Sequence, residues 1–331
     1  MDQNTVPVLE EILQGKRRAM AKAITLLEST HPESFEQGQD LLESLLPHAG
    51  KSLRIGITGV PGVGKSTFIE AFGLFLIEQG HRVAVLAVDP SSPLTGGSIM
   101  GDKTRMNELA QQQDAFIRPS PSSGILGGVA RKTRETVLIC EAAGYDIVIV
   151  ETVGVGQSET LVASMVDFFL LLMLPNAGDE LQGIKKGILE LADLVVINKS
   201  DGEQESLAKM AQAEYRKALH FLSSTKTSWT PQILRCSALE KMGMDTVWES
   251  AKNYRKALLE SGEWEEQRQD QTEKWMWTLV EEGLLKSFRN HPNLQKRIPE
   301  LQKSVNSGKM LPTTAAKQLL DYWEIGQMSF F

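Results

Sequence analysis

Cysteine and histidine are both scarce in this chain. Its 331 residues include two cysteines, Cys140 and Cys236, and five histidines scattered along the sequence. Two widely separated cysteines do not provide the dense framework of a disulfide-stabilised secreted domain. The sequence also contains no C-x-x-C or H-x-x-H pairing of the kind that binds zinc or nickel. We therefore expect neither a disulfide scaffold nor a dedicated zinc or nickel site.

Long hydrophobic runs are also missing. The longest uninterrupted apolar stretch covers residues 168–174, whereas a membrane-spanning helix needs about 20 residues. Residues 1–4 lack the basic region and the apolar run of a signal peptide. Basic residues number 35 against 42 acidic ones, a formal net charge of −7, which argues against a broad nucleic-acid surface. These features predict a cytoplasmic protein that binds neither membrane nor nucleic acid.

Short runs rich in valine and isoleucine alternate with helical segments through the middle of the chain. They are continuously apolar, a pattern typical of strands buried on both faces of a parallel sheet. Because parallel strands need crossover connections, we predict an α/β fold with helices on both faces of a mostly parallel sheet. Ligands of such sheets bind beyond the carboxyl ends of the strands. The predicted strands lie at residues 53–58, 83–88, 147–150, 168–174, 194–197 and 233–236.

The two ends of the chain have a helical pattern. Residues 1–50 repeat apolar side chains at the spacing of amphipathic helices packed on a larger body. Residues 262–331 contain four of the six tryptophans. This aromatic surface either covers the central domain or forms a subunit interface, where aromatic residues are enriched. We therefore expect an N-terminal helical extension (1–50), a central domain (51–261) and a C-terminal helical arm (262–331).

A glycine-rich stretch directly after the first predicted strand fits the phosphate-loop pattern G-x-x-x-x-G-K-[ST]. Its glycines let successive backbone N–H groups form a nest for a polyphosphate, and the following helix adds the positive end of its dipole. Lys65 is expected to bridge the outer phosphates, and Ser66 to place its hydroxyl on Mg²⁺. The predicted nucleotide-binding residues are Gly59, Val60, Pro61, Gly62, Val63, Gly64, Lys65, Ser66 and Thr67.

Two later strand ends indicate which base is bound. Asn198, Lys199 and Asp201 form an N-K-x-D motif after the predicted strand 194–197. An aspartate carboxylate accepts hydrogen bonds from N1–H and the exocyclic amino group of guanine, whereas adenine presents an acceptor at N1 and leaves the carboxylate unpaired. A further strand end is expected to supply a backbone N–H to guanine O6, so the motifs favour guanine over adenine. The residues of that strand end are Ser237, Ala238 and Leu239.

Acidic residues near strand ends are the candidates for the Mg²⁺ side of the site. Asp89 follows the second predicted strand, Glu151 follows the third, and Asp102 lies in a polar, glycine-rich stretch. Mg²⁺ prefers hard oxygen ligands and usually keeps several waters, so few carboxylates are needed. Together with Ser66 these three acids are the predicted metal residues, and with Lys65 they form the predicted catalytic set. For Asp102, a solvated loop remains the alternative.

Two polar, glycine-rich stretches, residues 91–105 and 176–187, have the composition of loops that order with a triphosphate and relax with a diphosphate. In the second stretch, Lys185 or Lys186 is a candidate for reporting the nucleotide state to a partner or for steadying the phosphates. A solvated charged loop is the alternative interpretation.

Five segments together carry a family resemblance: residues 59–67, 89–92, 96–106, 151–159 and 198–201. They resemble the methylmalonyl-CoA mutase-associated GTPases of the MeaB/ArgK type. The resemblance covers nearly the whole chain. The stretches 96–106 and 151–159 are far more specific than the phosphate loop.

The resemblance implies a P-loop GTPase with helical extensions that acts as a chaperone for an adenosylcobalamin-dependent methylmalonyl-CoA mutase. Such a protein gates cofactor loading, protects the mutase, hydrolyses GTP to GDP with Mg²⁺, and forms a homodimer largely through its C-terminal arm. It also implies that Asp89, Asp102 and Glu151 lie on the Mg²⁺ side and that residues 179–186 form a third switch. Glu151 replaces the aspartate of the wider GTPase pattern D-x-x-G, and Gln157 is a candidate for orienting the attacking water.

Two alternative functions use the same kind of phosphate loop. A metal-delivery GTPase for a nickel enzyme shares the fold, but the scattered histidines and cysteines argue against it. An ATP-dependent kinase linked to amino-acid transport is not favoured by Asp201, because that carboxylate suits guanine.

Overall fold

Runs of Val, Ile and Leu form the strands of one sheet in the computed structural model, which describes residues 5–29, 31–88, 106–119, 126–152, 158–175, 186–220 and 228–328. Within these residues the strands are β1 (Leu53–Gly59), β2 (Val83–Val88), β3 (Ala115–Arg118), β4 (Ile147–Thr152), β5 (Phe168–Met173), β6 (Leu194–Ile197) and β7 (Gln232–Arg235). The sheet order is β3-β2-β4-β1-β5-β6-β7, and all of its strand pairs are parallel. The predicted parallel sheet is confirmed, with β3 as an additional edge strand.

Helices alternate with the strands, as parallel crossovers require. The described helices before β4 are α1 (Thr5–Leu13), α2 (Arg17–Glu28), α3 (Pro32–Leu45), α4 (Lys65–Glu78), α5 (Asn107–Gln111) and α6 (Leu126–Ala142). Those after β4 are α7 (Ser158–Ala163), α8 (Lys186–Leu191), α9 (Glu205–His220), α10 (Met244–Ser261), α11 (Glu263–Asn290), α12 (Pro292–Asn306) and α13 (Pro312–Met328). None of the helices in this described part is long and apolar enough to cross a membrane.

Successive residues of β1 face two different apolar clusters, one on each side of the sheet. Ile55 and Ile57 pack with Phe68 and Phe72 of α4 on one side. The cluster on the other side joins the N-terminal helices to α6, α7 and β4. Its members include Met20, Ile24, Leu41, Val137, Cys140, Val148, Val150 and Val162.

An aspartate precedes three of the strands and binds the backbone of a neighbouring strand or its first flanking residue. The carboxylate of Asp146 accepts the Arg82 N–H at 2.8 Å, that of Asp167 accepts the Arg54 N–H at 2.8 Å, and that of Asp193 accepts the Phe169 N–H at 2.8 Å. These bonds satisfy backbone donors at the amino edge of the sheet, where a buried unpaired N–H would destabilise the fold. All three aspartates lie at the amino edge, so they do not occupy the opposite, carboxyl edge, where the ligand is expected to bind.

The chain divides into two compact units, Met1–Arg268 and Gln269–Phe331. The first contains the sheet and the helices α1–α10. In the second, α12 and α13 pack against each other, Leu294, Leu301 and Ala315 are buried, and the ring of Trp323 lies edge-on to Phe288 with centroids 5.7 Å apart.

Candidate functional site

The phosphate loop connects the carboxyl end of β1 to the first turn of α4. Gly62 and Gly64 have φ values of 79° and 90°, a left-handed conformation that glycine adopts without steric cost. At Gly59, close packing leaves no room for a side chain, because an added Cβ would lie 2.6 Å from the carbonyl oxygen of Leu172 in β5. The glycines of the motif therefore serve the loop conformation at two positions and strand packing at a third.

Lys65 points back over this loop. Its Nζ donates a hydrogen bond to the carbonyl oxygen of Gly59 at 2.9 Å. Burial lowers the pKa of Lys65, while the charges of Glu151 and Glu159 act in the opposite direction. Ser66 is half-buried beside it in the first turn of α4, where backbone N–H groups have no partner within the helix. The ammonium, the hydroxyl and the helix N-terminus thus share the edge of the sheet at which a polyphosphate is predicted to bind.

Two residues of the N-K-x-D motif fasten this loop to the rest of the sheet. Asn198 is 2% exposed, and its Nδ2 donates to the carbonyl oxygen of Val63 at 2.9 Å. Its Oδ1 accepts the backbone N–H of Ala238 at 3.0 Å. Lys199, with a φ of 58°, donates from Nζ to the carbonyl oxygen of Gly62 at 2.9 Å. Asn198 therefore joins the phosphate loop, the end of β6 and the turn after β7.

The predicted base-binding residues come together around that turn. Burial and, to a lesser extent, the charge of Asp201 together raise the pKa of the Cys236 thiol to about 12, which indicates that Asp201 lies near the start of the turn. Ser237 is buried and its Oγ accepts the Glu240 N–H at 3.1 Å, whereas Leu239 is 74% exposed. The backbone N–H of Ala238 is directed at Asn198 in this structure.

Glu151 lies at the buried end of β4, in register with Ile57 of β1 and Ala87 of β2. It is 6% exposed, so its carboxylate is held at the same edge as Lys65. The next residue, Thr152, donates from Oγ1 to Oγ1 of Thr58 at 2.7 Å and ties the ends of β4 and β1 together.

Several predicted residues lie outside the part of the chain that the structure describes. They are Asp89, Asp102, Gln157 and Lys185, together with residues 91–105 and most of 176–187. Lys186 is the first residue of α8. Among the described residues, no group of three or more His, Cys, Asp or Glu side chains is placed to hold a metal ion. The roles of these residues in metal binding and switching stay predictions.

The family described as "Methylmalonyl Co-A mutase-associated GTPase MeaB" matches residues 20–293, which is most of the chain. This chain belongs to that family. It is therefore a P-loop GTPase, an enzyme that hydrolyses GTP, and the predicted fold class and family resemblance are confirmed.

Individual relatives of the MeaB family align over almost the whole chain. A probable GTPase of Mycobacterium tuberculosis is 52% identical over 321 residues, 97% of this chain and 96% of the relative. The GTPase ArgK of Escherichia coli is 49% identical over 314 residues, 95% of each protein. The mouse protein named mitochondrial methylmalonic aciduria type A homolog is 50% identical over 319 residues, 93% of this chain and 77% of the relative.

A solved structure supports the same family assignment. The crystal structure of a LAO/AO transport system kinase superposes with a TM-score of 0.80 at 41% identity, covering 98% of this chain and 99% of that one. The helical segments at both ends of this MeaB-family chain therefore belong to the shared architecture.

One buried acid at this MeaB-family site received no role from the sequence. Glu159 lies in the first turn of α7, is completely buried, and acts electrostatically on Lys65. A glutamate is seldom fully buried without a charged partner, but its sequence position beside Ser158 gives no sign of its burial.

Proposed function

We propose that this GTPase is a Mg²⁺-dependent switch and chaperone for an adenosylcobalamin-dependent methylmalonyl-CoA mutase, active in cofactor loading and protection of the mutase. The match of residues 20–293 to the mutase-associated family carries this proposal. We further propose that the protein acts in the cytoplasm.

In the proposed reaction, water attacks the γ-phosphate of GTP at the carboxyl edge of the sheet. The backbone N–H groups of residues 59–67 and the Lys65 ammonium stabilise the charge that develops on the phosphate oxygens. Lys65 already lies over the loop, 2.9 Å from the Gly59 carbonyl oxygen, so little reorganisation is needed. The groups that bind the phosphates are therefore largely placed before the nucleotide arrives.

The residues at this edge fit a magnesium ion. The Ser66 hydroxyl and the buried Glu151 carboxylate are hard oxygen donors, and Mg²⁺ needs few protein ligands because it keeps several waters. These two residues would hold the ion, with Asp89 and Asp102 as further candidates. When bound, the ion supplies charge neutralisation between the outer phosphates.

The Asp201 carboxylate is proposed to select guanine by accepting from its N1–H and amino groups. The turn at Ser237, Ala238 and Leu239 is proposed to line the other edge of the base. Asn198 and Lys199 are proposed to link the two parts of the nucleotide site. Both belong to the motif that contains Asp201, and both donate to carbonyl oxygens of the phosphate loop.

The C-terminal arm is proposed to form a homodimer. Trp277, Val280 and Leu284 of α11 are 54%, 41% and 52% exposed, and their spacing of three and four residues places them on one helix face. Exposed apolar faces of this kind mark protein interfaces, and tryptophan is enriched there.

Binding to purified methylmalonyl-CoA mutase tests the chaperone proposal. The mutase, apo and cobalamin-loaded, would be offered to the immobilised GTPase with GDP or with a non-hydrolysable GTP analogue. We expect the retained mutase to differ between nucleotide states and between apo and loaded mutase. A Lys65→Ala variant serves as the control, since it should lose the nucleotide dependence. Equal retention in every state would contradict the gating proposal.

A nickel-enzyme chaperone and an amino-acid transport kinase are weaker candidates. One structural relative is titled a transport system kinase, but a kinase that uses ATP would not need the guanine-selective carboxylate of Asp201. Competition of ATP against labelled GTP tests the kinase, and a titration that shows tight stoichiometric nickel binding would support the nickel-enzyme chaperone.

A further inference from the structure

Helix α7 packs against β1 on the sheet face opposite α4. A Cβ added to Gly56 of β1 would lie 3.0 Å from Cγ1 of Val162, so this part of α7 contacts the middle of the strand. Glu159 is three residues before Val162 and lies on the same helix face, one turn nearer the start of the helix. Since α7 follows the carboxyl end of β4 and leads back towards the start of β5, that turn is nearer the carboxyl edge of the sheet. Glu159 therefore lies beside the carboxyl end of β1, where the phosphate loop begins, on the sheet face that α7 covers.

Glu151 lies near the same end of β1, but on the opposite face of the sheet. It lies beside Ile57 in the parallel register, and residues paired in this way point to the same side of the sheet. Ile57 belongs to the apolar cluster that contains α4, whereas Val162 of α7 belongs to the cluster on the opposite side. The Lys65 ammonium, 2.9 Å from the Gly59 carbonyl oxygen, thus lies at the strand end between two carboxylates from opposite faces.

The burial of Glu159 determines how strongly its charge acts on Lys65. The residue is 0% exposed, and a buried carboxylate destabilises the fold unless a cation or several donors compensate its charge. Lys65 supplies such a cation, because its Nζ lies at the Gly59 carbonyl oxygen at the end of β1, where it interacts electrostatically with both Glu151 and Glu159. A change at Glu159 should therefore act on the phosphate site through Lys65.

We propose that Glu159 is a positioning residue for GTP hydrolysis, whose buried carboxylate holds the Lys65 ammonium from the sheet face opposite Glu151. Lys65 is then fixed where the outer phosphates bind. This inference depends on the proposed role of Lys65 in phosphate binding.

A Glu159→Gln variant tests the inference, because it removes the charge and keeps the shape of the side chain. We expect kcat for GTP hydrolysis to fall by about tenfold or more, since a misplaced cation stabilises the transition state less. The affinity for GDP should change by less than about threefold, because the Lys65 ammonium contributes most where charge develops in the transition state, and GDP lacks the γ-phosphate. A side chain that served only folding would change the unfolding midpoint and leave kcat of the folded enzyme unaltered.

Glu135→Gln is the matched control. Glu135 is also buried, at 3% exposure, but its carboxylate binds Gln39 at 3.1 Å and lies 3.5 Å from Arg131, away from the strand end. Its kcat should stay within about twofold of the unaltered enzyme. If both variants lost activity equally, the effect would reflect a buried glutamine and the inference would be wrong.

A second substitution covers the case in which the glutamine variant does not fold. Glu159→Asp keeps the charge but withdraws the carboxylate by one methylene group. We expect a loss of kcat of about threefold or more at unchanged GDP affinity. If this variant folds and hydrolyses GTP like the unaltered enzyme, Glu159 does not position Lys65.

Lys65→Ala separates this inference from the proposed function. If that variant kept normal GTP affinity and hydrolysis, the proposed role of Lys65 would fail and the inference with it. If it lost hydrolysis while Glu159→Gln kept kcat within about twofold, only the inference about Glu159 would be overturned.

Discussion

Single side chains of the N-K-x-D motif perform two tasks in this GTPase. Asn198 is enclosed among the phosphate loop, β6 and the turn after β7, and it uses both ends of its amide on protein groups. Lys199 spans from the end of β6 to the Gly62 carbonyl oxygen. Because the same residues reach the phosphate loop and flank Asp201, the phosphate loop and the candidate base-binding residue share one structural support.

Replacing Asp201 by asparagine tests guanine selection at this scale. A hydrogen bond to a charged acceptor contributes about 1.5–3 kcal/mol, so we expect the Kd for GDP to rise roughly 10- to 100-fold. The weak binding of ATP should not change, since its adenine gains nothing from the carboxylate. Titration of fluorescent GDP, followed by displacement with ATP, measures both effects.

Asp245→Asn is the control for that experiment, because Asp245 is exposed in the first turn of α10 and far along the chain from the motif. Efficient displacement of GDP by ATP from the unaltered protein would contradict the assignment of Asp201.

The elements of the fold were predictable to different degrees, for physical reasons. Five of the six predicted strands are continuous apolar runs buried on both faces, whereas the sixth, β7, is only partly buried. The edge strand β3 is not predicted from the sequence, because it offers only three apolar residues before Arg118. The phosphate loop is contiguous and was visible in the sequence. The burial of Glu159 and the contact of Asn198 with Val63 depend on residues brought together by folding, which no local pattern records.

The start of α11 is fixed to the sheet by an ion pair at the amino edge. Nε of Arg268 donates to Oδ1 of Asp167 at 2.8 Å, and a second guanidinium nitrogen donates to Oδ2 at 2.7 Å. Arg268 also lies over the ring of Trp264, 4.9 Å from its centroid. The Asp167 side chain is 1% exposed, so its charge depends on these donors.

Arg268→Ala should therefore destabilise the first unit. Removing one partner of a buried ion pair leaves an uncompensated charge, and we expect a loss of about 3 kcal/mol in the free energy of unfolding. Urea denaturation followed by tryptophan fluorescence measures it. Lys209→Ala removes an exposed ion pair with Glu205 and should leave the midpoint unchanged. An equally small change for Arg268→Ala would show that the pair does not stabilise the start of α11.

At the scale of the whole molecule, the acidic net charge of −7 coexists with a site built for a polyanion. The two are compatible because the phosphate loop presents backbone N–H groups, which a charge count does not register, and because the ammonium groups of Lys65 and Lys199 lie on carbonyl oxygens of the loop. The exposed apolar side chains of α11 are the second feature at this scale. A net charge of this size opposes association through long-range repulsion, so a stable homodimer would depend on the apolar contact area of the arm.

A double substitution on α11, Val280→Glu with Leu284→Glu, tests that dependence. Like charges brought together across an interface oppose association by roughly several kcal/mol, so we expect a dimer to become a monomer in sedimentation velocity experiments. GTP hydrolysis without a partner protein should stay within about twofold, because the site lies in the first unit. Leu46→Glu, at a position that is 60% exposed before β1, is the control and should leave the mass unchanged. If the unaltered protein were a monomer, or if the double variant kept the dimer mass, the arm would not be the dimer interface.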